Sequence, residues 1–421
     1  MKRLILALLC AVPVFAQTVD QTVAIALKNN ANIQNAQLEI EKAEERVSAA
    51  KTKRLPKFEL QAIGGEALTN LSIEIDNGSA GAPNGEKTRV DLARTFNTIA
   101  VARITQPLTQ LHSIRLGVQL NETAVKANKE QERAARLAIT REVKSAYYAV
   151  LSARGYANAM KEAVTAAEEV DREMNVRVSQ KAALEADHLD ASARLAATKV
   201  AALSANNALA SAQDRLNYLV GAEVEVSDAA FEEMPKLTGA TDEVIAQRPD
   251  VREAAVRVEQ SKLDMQLKNT ERIPEVALMV SSATPIGNDV LPSNMTSVGI
   301  SMSYEPFTWG RRSAELREKR HAVAQAENAL RDKQALASVE IAAYGRKVEE
   351  AAAQIAVRKF ESEAARERLR VTKARFQVLA ARPEEMFNAG ASLTQAAARE
   401  QEAISAYWTA RADYEKAIGE E

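Results

Sequence analysis

Proline, which breaks the interior of a helix, is missing from two long stretches of this chain, Leu108–Met234 and Phe307–Arg382. Both outrun an ordinary globular helix. Each is therefore expected to hold a very long helix, one tight turn and a second helix. The prolines between them form two matching pairs, Pro56 with Pro107 and Pro274 with Pro306, and inside each pair the apolar period changes. Phe58, Leu60 and Ala62 alternate with Glu59 and Gln61, and Ile99, Val101 and Arg103 lead to Gln106-Pro107. In the second pair Val276, Leu278 and Val280 alternate, then Val298, Ile300, Met302 and Tyr304 lead to Glu305-Pro306. A period of two makes strands with two different faces. The intervening residues from Asn77 to Gly85, and Pro285-Ile286-Gly287-Asn288, are loop chemistry. Two β-hairpins are expected, near residues 57–106 and 275–306, with strands of roughly ten residues, long enough to cross a bilayer when tilted. A soluble hairpin on a helical body would alternate in the same way.

The surroundings of the hairpins repeat. Ala31-Asn32-Ile33-Gln34-Asn35-Ala36 lines up with Pro249-Asp250-Val251-Arg252-Glu253-Ala254, and at the same offset Arg54-Leu55-Pro56 meets Arg272-Ile273-Pro274. Each unit reads helix, hairpin, very long helix, turn, helix, and such order is the mark of a duplication. The first repeat is expected over residues 17–221, a linker over 222–241 and the second repeat over 242–421. A helix from Thr109 to about Val178 would be roughly 100 Å long at 1.5 Å per residue. Val19–Arg54 and Ala183–Leu219, set end to end, cover about the same length. The second half matches with Arg311–Val378 against Asp242–Arg272 and Glu384–Ile418. One continuous helix beside two half-length helices makes an even layer, the wall of a cylinder. The fold class is mainly α with a small β part.

Lys2 and Arg3, the apolar run Leu4–Val14 and the small-residue site Val14-Phe15-Ala16 form a secretory signal peptide, residues 1–16, cut after Ala16. Cys10, the only cysteine, lies inside it, so the mature chain has neither a disulfide nor a cysteine-held metal. A lipoprotein reading of Leu-Leu-Cys is weakened by Leu9, where lipid attachment prefers a small residue. Aromatics make up 4% of the chain and charged residues 27%, which with its abundant alanine favours extended helices over thick cores. The net charge of −2, roughly −4 without Lys2 and Arg3, gives no basic surface for a nucleic acid. No apolar run after the signal is long enough for a transmembrane helix.

Several segments resemble the TolC-like outer-membrane efflux protein family, and the resemblance covers essentially the whole mature chain. Residues 26–33 (Ala-Leu-Lys-Asn-Asn-Ala-Asn-Ile) with Arg54-Leu55-Pro56 look like the family's opening. Gln247-Arg248-Pro249-Asp250-Val251 looks like the start of its second repeat. Residues 182–191 are similar to its first tip turn, and Arg215–Gly221 to its end-of-repeat signature. The resemblance implies a homotrimeric channel with a shared twelve-stranded transmembrane β-barrel in outer-membrane lipid and an α-barrel tunnel across the periplasm. Its partners would be a periplasmic adaptor and an inner-membrane transporter, in a tripartite efflux or type I secretion system. Physics asks for something close: four strands cannot close a membrane barrel. Two copies would give a filled eight-stranded barrel, and three a pore. The rival reading is a periplasmic coiled-coil adaptor or structural spacer, equally rich in Ala, Glu and Lys. At the second tip turn, Phe376–Ala389, the family's usual glycine is missing and Asn388 stands where an aspartate is common.

No catalytic or nucleotide-binding motif is present, so neither an enzyme nor a cofactor is expected. Asp187, His188 and Asp190 are too few ligands for a metal, and Glu349-Glu350 reads as a solvated helix face. Tyr304, Phe307 and Trp309 suit either an interfacial anchor or packing beneath the barrel. The residues expected at the periplasmic tip, as a gate, are Arg375, Arg382, Glu384 and Glu385 around the second turn and Asp187 and Asp190 at the first. Glu384 and Glu385 would form a ring of like charge in a trimer. Arg375 and Arg382 would hold the second helical hairpin inward, with the two aspartates as partners. The same charges on a solvated tip could instead serve only to dock the adaptor.

Overall fold

The computed structural model describes residues 17–66, 71–76, 87–92, 96–227, 237, 239–286, 294–378 and 380–420. The expected signal peptide with Cys10, and the expected loops at 77–85 and 287–288, lie outside the described residues. The chain runs α1 (Val19–Asn29), α2 (Ala31–Thr52), β1 (Lys57–Glu66), β2 (Leu71–Asp76), β3 (Lys87–Leu92), β4 (Phe96–Pro107), α3 (Leu111–Ser179) and α4 (Glu185–Val220). It then repeats with α5 (Asp242–Gln247), α6 (Pro249–Thr270), β5 (Glu275–Ile286), β6 (Met295–Ser303), α7 (Arg311–Gln377) and α8 (Pro383–Ile418). The duplication is close in length: α3 has 69 residues and α7 67, while α4 and α8 have 36 each. Among the described residues no helix is long and apolar enough to cross a membrane.

The structure divides into two compact units. One holds the described parts of residues 1–40, 127–255 and 328–421. Its core contains Val143, Tyr147, Leu216, Val220, Ile341, Tyr407 and Tyr414. Tyr148 stacks on Trp408 at 4.3 Å between ring centroids, and Tyr147 meets Tyr148 edge-on; each such pair adds about 0.5–1.5 kcal/mol beyond area burial. Arg141 reaches Asp413 and Lys144 reaches Glu415, both at 2.6 Å, so charges on α3 and α8 flank the aromatic stack. A chain segment between the repeats also packs here. Val224 and Val226 are buried, and Gln17 bridges to Val226 as a parallel strand pair. The Gln17 N–H donates to the Glu225 carbonyl at 2.7 Å. The Gln17 carbonyl lies within hydrogen-bond reach of the Ser227 N–H, the Ser227 hydroxyl and the Tyr147 hydroxyl.

The sequence suggested single helices over Val19–Arg54 and Asp242–Arg272; each is broken, at Asn30 and at Arg248, where the backbone turns extended. Both breaks meet a helix end far along the chain, and at the second Pro249 also keeps Arg248 out of helical backbone. The Asn30 side-chain amide donates to the Leu219 carbonyl at the end of α4 (3.3 Å), and its oxygen accepts from the Asn32 N–H (2.9 Å). Arg248 donates to the Ala417 carbonyl at the end of α8 (3.2 Å). Each break thus satisfies a helix-end carbonyl that has no partner within its own helix. Gly221 (φ +70°) and Gly419 (φ +77°) end those two helices in the left-handed conformation, which glycine adopts without a Cβ penalty.

The second unit holds the described parts of residues 41–126 and 256–327. Its four-stranded sheet has the order β1-β4-β5-β6, antiparallel throughout, so the two hairpins join along β4 and β5. Thr109 ties this seam: its hydroxyl donates to the Pro274 carbonyl at 2.7 Å and accepts from the Val276 N–H at 2.8 Å. Strands β2 and β3 form a separate two-stranded sheet within the first hairpin, which residue alternation had not indicated. Pro285 and Ile286, read as loop, extend β5 opposite Ile99 and Thr98. They lie past the end of the β5–β6 ladder, where one side of the strand is an edge and a proline is tolerated.

Candidate functional site

Two regions carry chemistry: the pair of turns between the long helices, and the four-stranded sheet.

The turns are equivalent. The Ala182 N–H donates to the Arg177 carbonyl, and the Ala380 N–H to the Arg375 carbonyl, each at 2.8 Å. The next helix then begins with a carboxylate three residues in. Asp187 accepts from the Leu184 N–H (3.1 Å), and Glu385 from the Arg382 N–H (3.2 Å). A carboxylate there satisfies an orphan donor and complements the positive end of the helix dipole. Asp187 and Glu385 are thus helix caps in the single chain. Arg375 stays within its own turn, donating to the Ala380 carbonyl at 2.9 Å and lying 3.5 Å from Glu385. Asp187, Asp190, Arg382 and Glu384 come together around a cavity of about 400 Å³, where Arg177 and Arg194 join them.

The links between the two helical hairpins fall to residues that the charge pattern did not single out. Arg177, near the end of α3, sits 4.6 Å above the Phe376 ring and donates to the Phe376 carbonyl at 3.4 Å. It is held in place by Glu173 at 2.5 Å. Lys373 reaches Glu169 at 2.7 Å, and Arg194 on α4 stands 5.1 Å over Phe387 on α8. Phe376 is buried with Val170, Met174, Ala191, Ala381 and Met386 in a small core of their own. The signal that would have found Arg177 is the repeat itself, since it occupies the position of Arg375 in the other turn. His188 faces Asp171 at 3.6 Å, while Ser192 donates to the same carboxylate at 2.6 Å. Asp187 meanwhile turns to its backbone cap, so the Asp187-His188-Asp190 triplet does not converge.

On the sheet, the pairing register sorts side chains onto two faces. One carries Phe58, Leu60, Ala102, Ile104, Val276, Leu278, Val280, Val298, Ile300 and Met302, interrupted by Gln106, Ser282, Thr284 and Thr296. The other carries Lys57, Glu59, Gln61, Arg103, Thr105, Ser281, Ser297, Ser301 and Ser303, interrupted by Ile63, Ile99, Val101 and Met279. The apolar face is bare: Leu60 is 89% exposed, Phe58 74% and Ile300 71%. A contiguous exposed patch of this kind marks a surface that water does not normally meet. Below it, Phe307 and Trp309 are also exposed, and Trp309 takes a left-handed backbone (φ +49°) ahead of Gly310 (φ +85°).

The chain matches the family described as outer membrane efflux protein over residues 22–222 and 240–420. Among solved structures it resembles the CmeC outer membrane channel of Campylobacter jejuni, with a TM-score of 0.78 at 17% identity over 95% of this chain and 85% of that one. It also resembles the outer membrane protein VceC of Vibrio cholerae (TM-score 0.73, 16% identity, 96% of each chain). The open state of the MtrE outer membrane channel of Neisseria gonorrhoeae is a further neighbour (TM-score 0.74, 19% identity, 96% and 89%). No curated protein sequence matches the chain.

Proposed function

The chain belongs to the outer membrane efflux protein family, and we propose that three copies of it, freed of the signal peptide, form one export duct. It is a protein of the outer membrane that extends into the periplasm, and its role is that of the outer-membrane channel of an efflux system. In the proposed assembly each copy lends β1, β4, β5 and β6 to a twelve-stranded barrel. The helices line a periplasmic tunnel, and a periplasmic adaptor and an inner-membrane transporter supply substrate and energy. The duct is a passive conduit, without catalysis or cofactor. Family membership displaces the rival reading of a coiled-coil adaptor or spacer.

The observation that carries the barrel is the sheet. It has one apolar face, one polar face and two outer strands, β1 and β6, each paired on a single side among the described residues. Lipid tolerates no open sheet edge, so β6 of one copy would pair with β1 of the next. The face of Leu60, Ile300 and Met302 would meet lipid, and that of Lys57, Glu59 and Arg103 the lumen. Tyr304, Phe307 and Trp309 would lie at the periplasmic rim of the membrane, where aromatic girdles sit. The two helical turns would form the periplasmic entrance, with Arg177–Phe376 and Glu169–Lys373 holding the hairpins together. Arg382, Glu384, Asp187 and Asp190 would line it, with Arg375 and Glu385 fixing the second turn. Extraction in detergent as a heat-sensitive trimer that conducts ions in planar bilayers is the expected result. A monomer recovered in the soluble periplasmic fraction would overturn the reading.

A further inference from the structure

We propose that Gln17, exposed as the first residue when the signal peptide is cut, is cyclised to pyroglutamate, and that this neutral lactam is the form in which the amino terminus is seated in the helical core. The inference rests on cleavage after Ala16, as in the proposed function. In the reaction the neutral α-amine of Gln17 attacks its own side-chain Cδ. An N–Cδ bond forms, the Cδ–Nε2 bond breaks, and one amine proton leaves with Nε2 as ammonia. No oxidant or co-reactant is consumed. The product nitrogen keeps a single N–H and carries no charge.

The seat fits that product. In the full chain the Gln17 nitrogen is the peptide nitrogen that follows Ala16, and among the described residues its single N–H meets one acceptor, the Glu225 carbonyl at 2.7 Å. A free terminal amine has a pKa near 8 and is charged at about pH 7, with three N–H groups to satisfy. Gln17 is half-buried, and a charged amine there would have one protein acceptor among the described residues for its three N–H groups. A lactam presents one donor to one acceptor. Its own carbonyl meanwhile keeps the Ser227 N–H, Ser227 hydroxyl and Tyr147 hydroxyl around it. The side-chain oxygen of Gln17 is buried and has no hydrogen-bond partner among the described residues, so no such bond among them holds the carboxamide away from the backbone nitrogen. Any residue could make the backbone bridge to Val226; only glutamine can also discharge the terminus by losing ammonia.

The test uses full-length protein purified from outer membranes. Free amines of the intact protein are dimethylated before trypsin digestion, so that cyclisation during work-up cannot mimic the native state. The expected amino-terminal peptide, Gln17–Arg46, carries dimethyl groups on Lys28 and Lys42 but none at its terminus, and is lighter by one ammonia than the encoded sequence with those two lysines labelled. Gln17→Glu, which cyclises far more slowly, should give the same peptide with a dimethylated terminus. A dimethylated terminus on wild-type Gln17 would overturn the inference while leaving the cleavage site standing. A peptide beginning elsewhere, such as an acylated Cys10, would overturn the cleavage reading and the inference with it.

Discussion

Arg248 donates to the carbonyl of Ala417, and in doing so it takes the place that Asn30 holds against Leu219 one repeat earlier. In the second repeat the joint has been rebuilt around charge. The guanidinium also grips Asp250 through two hydrogen bonds (3.0 and 2.9 Å) and Glu340 through one (2.7 Å). Arg248→Ala should leave two carboxylates without their counter-charge. Fully buried pairs lose about 3–5 kcal/mol when one partner is removed. Asp250 and Glu340 keep some water at 37% exposure, so about 2–3 kcal/mol is expected. Asn30→Ala should cost about 1 kcal/mol. Urea unfolding of the two variants, followed by tryptophan fluorescence, should rank them in that order.

Acid should erase the difference that Asp250 makes. Burial pushes its carboxyl up, but the hydrogen bond and charge of Arg248 outweigh this and hold it below the ordinary carboxylate range. A folded pKa below the unfolded one means stability that is present in full above the unfolded value near 3.9 and is lost as pH falls through the folded one. Asp250→Asn should therefore be destabilised at neutral pH, with the gap to wild type closing below about pH 4. A gap that stays constant from neutral to strongly acidic pH would contradict this account.

Charge placed on the two sheet faces should separate them. Leu60→Arg and Ile300→Arg should each destabilise membrane assembly by about 2–4 kcal/mol, whereas Ser301→Arg should be tolerated as a lumen position. Yields of heat-sensitive trimer in outer-membrane fractions measure this. Equal yields across the three would remove the lipid-face assignment.

At the entrance, Arg177→Ala and Lys373→Ala should loosen the link between the helical hairpins and raise single-channel conductance. A cation over an aromatic ring contributes about 0.5–1 kcal/mol at an exposed site and about 2 when desolvated, and Arg177 lies largely buried over the buried Phe376 ring, so the larger effect is expected from Arg177, which also bonds the Phe376 carbonyl. Glu384→Gln should lower cation selectivity with little change in conductance. Arg375→Ala, confined to its own turn, should act mainly by loosening the cap at Glu385.

Lys181 holds a left-handed backbone, φ +60°, in the first turn. That conformation costs a non-glycine residue about 1–2 kcal/mol, and glycine gives back roughly half of it through its freer unfolded chain. Lys181→Gly should be neutral to mildly stabilising, by up to about 1 kcal/mol. Hydrogen exchange of the Ala182 amide, which closes the turn, reports the change locally.

Much of the architecture was legible because proline and period-two alternation act locally. Pro56 and Pro274 mark where helix gives way to strand, and the alternation of Leu278 and Val280 shows one strand with two faces. Which face meets which solvent was not legible, since that depends on register. Only the pairings of Leu60 with Ala102, of Ile104 with Val280 and of Leu278 with Ile300 together place the apolar sets on one side. The break at Asn30 escaped notice because its partner, Leu219, lies about 190 residues away, whereas the break at Arg248 was legible in Pro249, which keeps the residue before it out of helical backbone. Charges at the turns were visible in sequence, but their bonds were not. Glu385 and Asp187, expected at the gate, also cap their helices in the single chain, and the charge pattern did not single out Arg177.

The open sides of β1 and β6 reach beyond a single molecule. In the proposed ring every copy both offers an edge and receives one, so a chain spoiled at β6 still captures a sound neighbour through β1. Such a defect would be dominant. A cell making sound and spoiled chains in equal amounts would keep on the order of one duct in eight, because all three places must be filled correctly. Its loss of export would be far steeper than its loss of protein.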